Sequence, residues 1–204
     1  MFVGGLDISG SPPMTNCKYL AGVIGDSDVI DSMMENLGRE NIHMSRIKNR
    51  MEKIMILEKI SFNDKNIMAF CATIDRNHII KSIRRDFNGK LRRRPTRKLT
   101  TYYNKVLFRC LQPKLQDFFD MHGYGMTDIV FQCDSDCIDF ASNNDLGWTD
   151  PGRAHSLADV VAWSNNAGFL LDGVMEMNLG EDIITQIMKS NGLQRPTSAR
   201  GTMP

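Results

Sequence analysis

Phe2-Val3-Gly4-Gly5-Leu6-Asp7-Ile8-Ser9-Gly10, followed by Tyr19-Leu20-Ala21-Gly22-Val23-Ile24, is the stretch that decides the fold. The first run is apolar, carries two glycines and ends in an aspartate, and Pro12 and Pro13 break regular structure behind it. The second run follows at hairpin distance, which predicts two strands joined by a loop. Downstream, Asp26-Ser27-Asp28 offers N-cap chemistry for a short helix to about residue 37, where Gly38 ends it. Met44, Ile47, Met51, Ile54, Met55 and Ile60 recur at helical spacing, with Arg46, Lys48, Arg50, Lys53 and Lys59 on the other faces. That pattern predicts an amphipathic helix of about four turns.

Residues 67–74 form a continuous apolar, β-favouring run, expected as a buried strand. Thr100 or Thr101 is expected to cap a helix carrying Val106, Leu107, Leu111, Leu115 and Phe118, with Pro113 inside it. A short strand at 129–131 leads into Cys133-Asp134-Ser135-Asp136, and residues 143–152 are turn-rich. Ser156 is expected to open an apolar helix to about residue 163. Residues 174–177 read as a last strand and 181–189 as a last helix. A hairpin followed by alternating helices and strands argues for an α/β fold with a mixed sheet. We expect one domain over residues 1–190 and a disordered tail over 191–204.

The chain has 204 residues and a formal charge of +1, from 25 Lys+Arg against 24 Asp+Glu. That total excludes a histone-like basic protein, but it hides a division along the chain. Residues 76–98 hold ten Lys/Arg and one acid, whereas residues 128–182 hold eleven Asp/Glu and one base. No apolar run reaches the ~20 residues of a membrane span, and no secretory signal is expected. Five scattered cysteines read as reduced thiols of a cytoplasmic protein. Cys133-x-x-x-Cys137 has the wrong spacing for a usual zinc half-site.

Three aspartates share a structural position. Asp7 ends the first strand, Asp134 and Asp136 follow the strand at 129–131, and Asp159 lies near the start of the next helix. In an α/β sheet such groups converge on one crevice. Carboxylates gathered there repel unless a divalent cation neutralises them, and oxygen-only ligation selects Mg²⁺ or Mn²⁺ over zinc. Such ions activate water and stabilise the leaving oxygen in phosphodiester hydrolysis. Each aspartate has an ordinary alternative: a turn at Asp7, an Asx-turn at Asp134 or Asp136, and a capping box Ser156-x-x-Asp159.

The motifs Asp7-Ile8-Ser9-Gly10, Tyr19-Leu20-Ala21-Gly22-Val23, Ile42-His43 and His155-Ser156-Leu157-Ala158-Asp159 resemble those of the DUF3800 group. That group is placed among ribonuclease H-like proteins, built on a mixed five-stranded sheet flanked by helices. The resemblance spans about residues 2–166 and implies an acidic cluster of Asp7, one of Asp134 and Asp136, and Asp159, with His43 near it. The chain departs from the group at Ile8, where an acid often stands. The helix glutamate of ribonuclease H enzymes has no clear counterpart, Glu52 and Glu58 being the candidates.

Residues 84–98 form a dense cationic insertion: Arg84, Arg85, Lys90, Arg92, Arg93, Arg94, Arg97 and Lys98. Lys/Arg contacts to phosphate dominate nucleic-acid affinity, and Tyr102 and Tyr103 follow as candidate stacking groups. The expected function is a divalent-metal-dependent nuclease or phosphodiesterase acting on RNA or DNA. The alternative is a non-catalytic module binding nucleic acid or a protein partner on the same fold. A phosphatase with Asp7 as nucleophile fits less well, because position 9 is Ser rather than Asp.

Overall fold

The computed structural model describes residues 1–9, 17–75, 97–125 and 128–178. The alternating apolar residues of the opening hairpin form β1 (Phe2–Ser9) and β2 (Cys17–Asp26). The other strands are β3 (Ile67–Asp75), β4 (Val130–Cys133), β5 (Gly147–Thr149) and β6 (Val174–Asn178). The helices are α1 (Ser27–Asn36), α2 (Arg50–Lys59), α3 (Arg97–His122), α4 (Ser135–Asn143) and α5 (Arg153–Asn166). One sheet runs in the order β5-β4-β1-β2-β3-β6. β2 is antiparallel to both its neighbours, while β1–β4, β4–β5 and β3–β6 pair in parallel. This is an α/β fold with one mixed six-stranded sheet flanked by helices, β6 forming one edge.

The two-residue period of the strands sorts their side chains into two cores. Phe2, Leu6, Leu20, Ile24, Phe70 and Phe131 point to one face and pack with Leu111, Leu115 and Phe119 of α3 and Phe140 of α4. Ala21, Val23, Ala69 and Cys71 point to the other, against α1, α2 and α5. Residues 154–162 of α5 are all buried. Such a helix must lie directly on the sheet, and Gly5 lets it do so: a Cβ there would overlap the backbone of Ala154 and His155.

The structure differs from the sequence reading in five places. The helix expected to be capped by Thr100 or Thr101 already begins at Arg97. The four-turn helix expected from residue 44 is divided into a 3-10 turn (Met44–Arg46) and α2, which starts afresh where Asn49 Oδ1 accepts from the Met51 amide at 2.9 Å. The restart rotates the apolar stripe, leaving Met51 and Met55 63% and 53% exposed while Ile56 and Leu57 are buried. α5 begins at Arg153 rather than Ser156. α4 was not expected, because its buried stripe of Cys137, Phe140 and Ala141 spans little more than one turn between polar residues. β5 was hidden by its length, three exposed residues inside a turn-rich segment.

The asparagine–aspartate chemistry at the helix ends follows the sequence. Asp26 caps α1 by accepting from the Asp28 amide at 3.0 Å, and Gly38 ends the turn with φ 66°. The expected helix at 181–189 and the tail lie outside the described residues. No helix among the described residues is long and apolar enough to cross a membrane. The close approach at Gly5 yields a prediction: Gly5→Ala forces α5 off β1 and lowers stability to urea by about 1–3 kcal/mol. An unchanged urea midpoint would show that the helix can shift freely.

Candidate metal centre

Parallel pairing of β1 with β4 builds the site. The register sets Val3 beside Val130 and Leu6 beside Cys133, so one step further brings Asp7 next to Asp134. Both aspartates leave the C-terminal ends of parallel strands, where an α/β sheet gathers its polar groups. Asp7 continues the side of β1 that carries Val3 and Gly5, the side covered by α5. Gln132, two residues before Asp134, holds the start of that helix. Its Oε1 accepts from the amides of Ala154 at 2.8 Å and His155 at 3.3 Å, a cap that the N-cap residue Gly152 has no side chain to provide.

This clamp brings His155 to the two aspartates. Asp7, Asp134 and His155 each offer one ligand atom, all within 4.8 Å of one another. Asp7 and His155 are 5% and 4% exposed. His155 Nδ1 lies 2.8 Å from the Leu6 carbonyl oxygen. A carbonyl only accepts, so Nδ1 donates to it, which leaves Nε2 as the ring's ligand atom. An imidazole oriented by its other nitrogen in this way is the usual state of a metal-binding histidine. Asp134 also serves α4, its Oδ1 accepting from the Cys137 amide at 3.3 Å. Asp134 thus caps α4 at its N-terminus, instead of forming the Asx-turn weighed for it, while taking its place in the cluster.

Asp159, the next turn of α5, takes a different position. Its Oδ2 accepts from the Met44 amide at 2.6 Å, and Ser156 Oγ accepts from the Ile42 amide at 3.1 Å. The expected capping box is thus absent: both side chains lie inside α5 and pin residues 42–44 to it. His43 follows from this anchoring. Its Nδ1 lies 3.3 Å from Asp159 Oδ2, within charge–charge range when the ring is protonated though not aligned as a hydrogen bond. The His43 and His155 rings meet edge to face at 6.4 Å.

No protein-family model matches the chain, and no curated protein matches it in sequence. Among solved structures, a chain of the PCNA:RNase HII complex from Archaeoglobus fulgidus is similar to it over 100% of this chain and 84% of that chain. The identity is 12% and the TM-score 0.43. Nothing is carried over from it, and the fold class rests on strand order and direction.

Of the aspartates singled out in the sequence, Asp7 and Asp134 come together, Asp159 stands one helical turn away, and Asp136 lies within α4. Arg84, Arg85, Lys90, Arg92, Arg93 and Arg94 lie outside the described residues, and Arg97 and Lys98 open α3. The residue that sequence reasoning passed over is His155, although its position four before Asp159 puts both on one helix face. His155 also lines a cleft of about 820 Å³ whose other wall carries Arg39, His43, Arg46 and Lys48.

The cysteine beside the cluster is electrically quiet. Burial, reinforced by the charge of Asp134, pushes the Cys133 thiol up to about 12; burial and Glu176, its partner in the β3–β6 register, do the same to Cys71. Both stay protonated at neutral pH and are poor nucleophiles or metal ligands. Iodoacetamide at pH 8 should therefore leave Cys71 and Cys133 unmodified in the folded protein and alkylate them in urea, as read by peptide mass mapping. Rapid labelling of Cys133 in the native state would contradict this.

Proposed function

We propose that the chain is a divalent-metal-dependent phosphodiesterase or nuclease acting on RNA or DNA. The observation that carries this reading is the convergence of Asp7, Asp134 and His155 within 4.8 Å at the C-terminal edge of the parallel strands. Two carboxylates held this close repel, and a cation relieves the repulsion. The donor set fits a divalent ion: two carboxylate oxygens and one imidazole nitrogen. The nitrogen shifts the expected choice toward Mn²⁺, since Mg²⁺ prefers oxygen alone. When bound, such an ion lowers the pKa of a ligated water and neutralises charge on phosphoryl oxygens.

The remaining work falls to the chain's own groups. The Leu6 carbonyl fixes the tautomer and orientation of His155. Arg46 and Lys48, across the cleft, supply positive charge to a phosphodiester lying against the cluster. His43, beside Asp159, is in place to hold or release a proton near the same cleft. Asp159 acts in this scheme as a positioning residue for residues 42–44 and remains a candidate for a further ligand. The resemblance to the DUF3800 group supports the same reading, because its motif residues His43, His155 and Ser156 line the cleft and Asp7 joins His155 in the cluster. Asp136 and the cationic residues 84–98 remain candidates for a further ligand and for phosphate contacts. A cytoplasmic enzyme with nucleic acid as partner fits the reduced thiols.

The alternative, a binding module without turnover, is separated by experiment. Asp7→Asn should abolish Mn²⁺-dependent cleavage of RNA or DNA, lowering it by about 100-fold or more, with the circular dichroism spectrum unchanged. His155→Ala should weaken Mn²⁺ binding in calorimetry at least about tenfold. Cleavage that persists in Asp7→Asn would overturn the catalytic reading, and a wild-type chain that binds oligonucleotides without turnover would favour the module.

A further inference from the structure

The bases of residues 46–53 lie on the non-apolar faces of the helix expected from the sequence, yet the fold sets them around two depressions. Arg46 and Lys48 line the cleft that His155 borders. Lys48 also lines a second, smaller pocket of about 280 Å³ with Arg50, Lys53, Trp163 and Phe169. The two depressions therefore share Lys48, and basic residues line both, from the cleft at His155 to an aromatic pair. Trp163 and Phe169 lie nearly parallel, 17° between planes at 6.2 Å, and Lys53 Nζ sits 4.5 Å from the Trp163 ring centroid. Phe169 is 39% exposed, so part of its ring is open to another planar group.

The basic wall of the cleft is pre-positioned. The amides of Ile42 and Met44 are tied to Ser156 and Asp159 of α5, and the segment cannot swing away from the sheet without breaking both buried bonds. Arg39, at the near end of the cleft, is already paired with Glu52, which leaves Arg46, Lys48 and Arg50 as exposed cations.

We propose that these two depressions form a single-strand nucleic-acid groove, with phosphates on Arg46, Lys48 and Arg50 and an unpaired base stacked on Phe169. The proposal rests on the phosphodiesterase reading for what happens at its catalytic end, and names the substrate class of that site. Cations spaced along a groove with an aromatic platform at one end are the recognition chemistry of single strands. A duplex keeps its bases stacked internally and cannot use the platform. An acidic peptide would use the cations but would leave Phe169 without a planar partner.

The test measures fluorescence anisotropy of labelled single-stranded and duplex oligonucleotides in EDTA, so that no strand is cleaved, across a range of salt. Wild type should bind single strands more tightly than duplex. Lys48→Glu with Arg50→Glu should weaken binding at least about tenfold and flatten the log–log salt dependence by about 1.4, at about 0.7 per lost phosphate contact. Phe169→Ala should weaken it about tenfold with the salt slope unchanged. Lys48→Gln with Arg50→Gln serves as a milder pair, and circular dichroism checks the fold of each.

Unchanged affinity in the charge variants, an unchanged affinity in Phe169→Ala, or preference for duplex would each overturn the groove. So would loss, in the same variants, of binding to anionic vesicles by a protein that ignores oligonucleotides. Hydrolysis of bis(p-nitrophenyl) phosphate with Mn²⁺ by the wild type separates the two readings: its absence would sink the catalytic reading while the anisotropy still judges the groove.

Discussion

The contact between the first turn of α5 and the bare backbone of Gly5 is the constraint on which the rest depends. A helix buried along residues 154–162 has nowhere to go except against the sheet, and the missing side chain at position 5 sets how near it can come. Gln132 fixes the other coordinate by accepting two amides of the same turn. Once those two relations hold, His155 stands at the strand ends beside Asp7 and Asp134, and the face of α5 bearing Ser156 and Asp159 meets residues 42–44. Core packing and the polar cluster are therefore products of one docking event.

Much of this was legible in the sequence because strands announce themselves by composition. The opening hairpin, β3, the core of β4 and β6 all appear as apolar runs bounded by turn residues, and their alternation carries the α/β assignment. Asp7 and Asp134 were legible because each ends such a run. His155 was not, because nothing local marks it: its partners are a carbonyl on β1 and carboxylates distant along the chain, and only the register of β1 with β4 brings them together. The division of the helix between Arg46 and Arg50 was hidden for a similar reason: Ile42 and Met44 at its start are held by bonds to Ser156 and Asp159, far along the chain, and Asn49 caps α2 afresh.

Charge tells the same story at a larger scale. A linear reading finds one basic block at residues 76–98 and one acidic block at 128–182 and pairs them as substrate and metal sites. Among the described residues, a second set of bases, at residues 46–53, lies beside α5, because residues 42–44 just before it are bonded to that helix. Tertiary anchoring thus brings to the cleft bases that a linear reading of charge density does not single out.

Asp134 has a consequence beyond the cleft. The same side chain that approaches Asp7 and His155 also accepts the Cys137 amide at the start of α4, and α4 packs on the opposite face of the sheet, with Cys137 and Phe140 in that core. Any cation drawn to Asp134 competes with that amide for the charge of a single carboxylate. Occupancy on one side of the sheet and helix stability on the other are thereby thermodynamically linked, and the linkage runs through one residue with no moving domain.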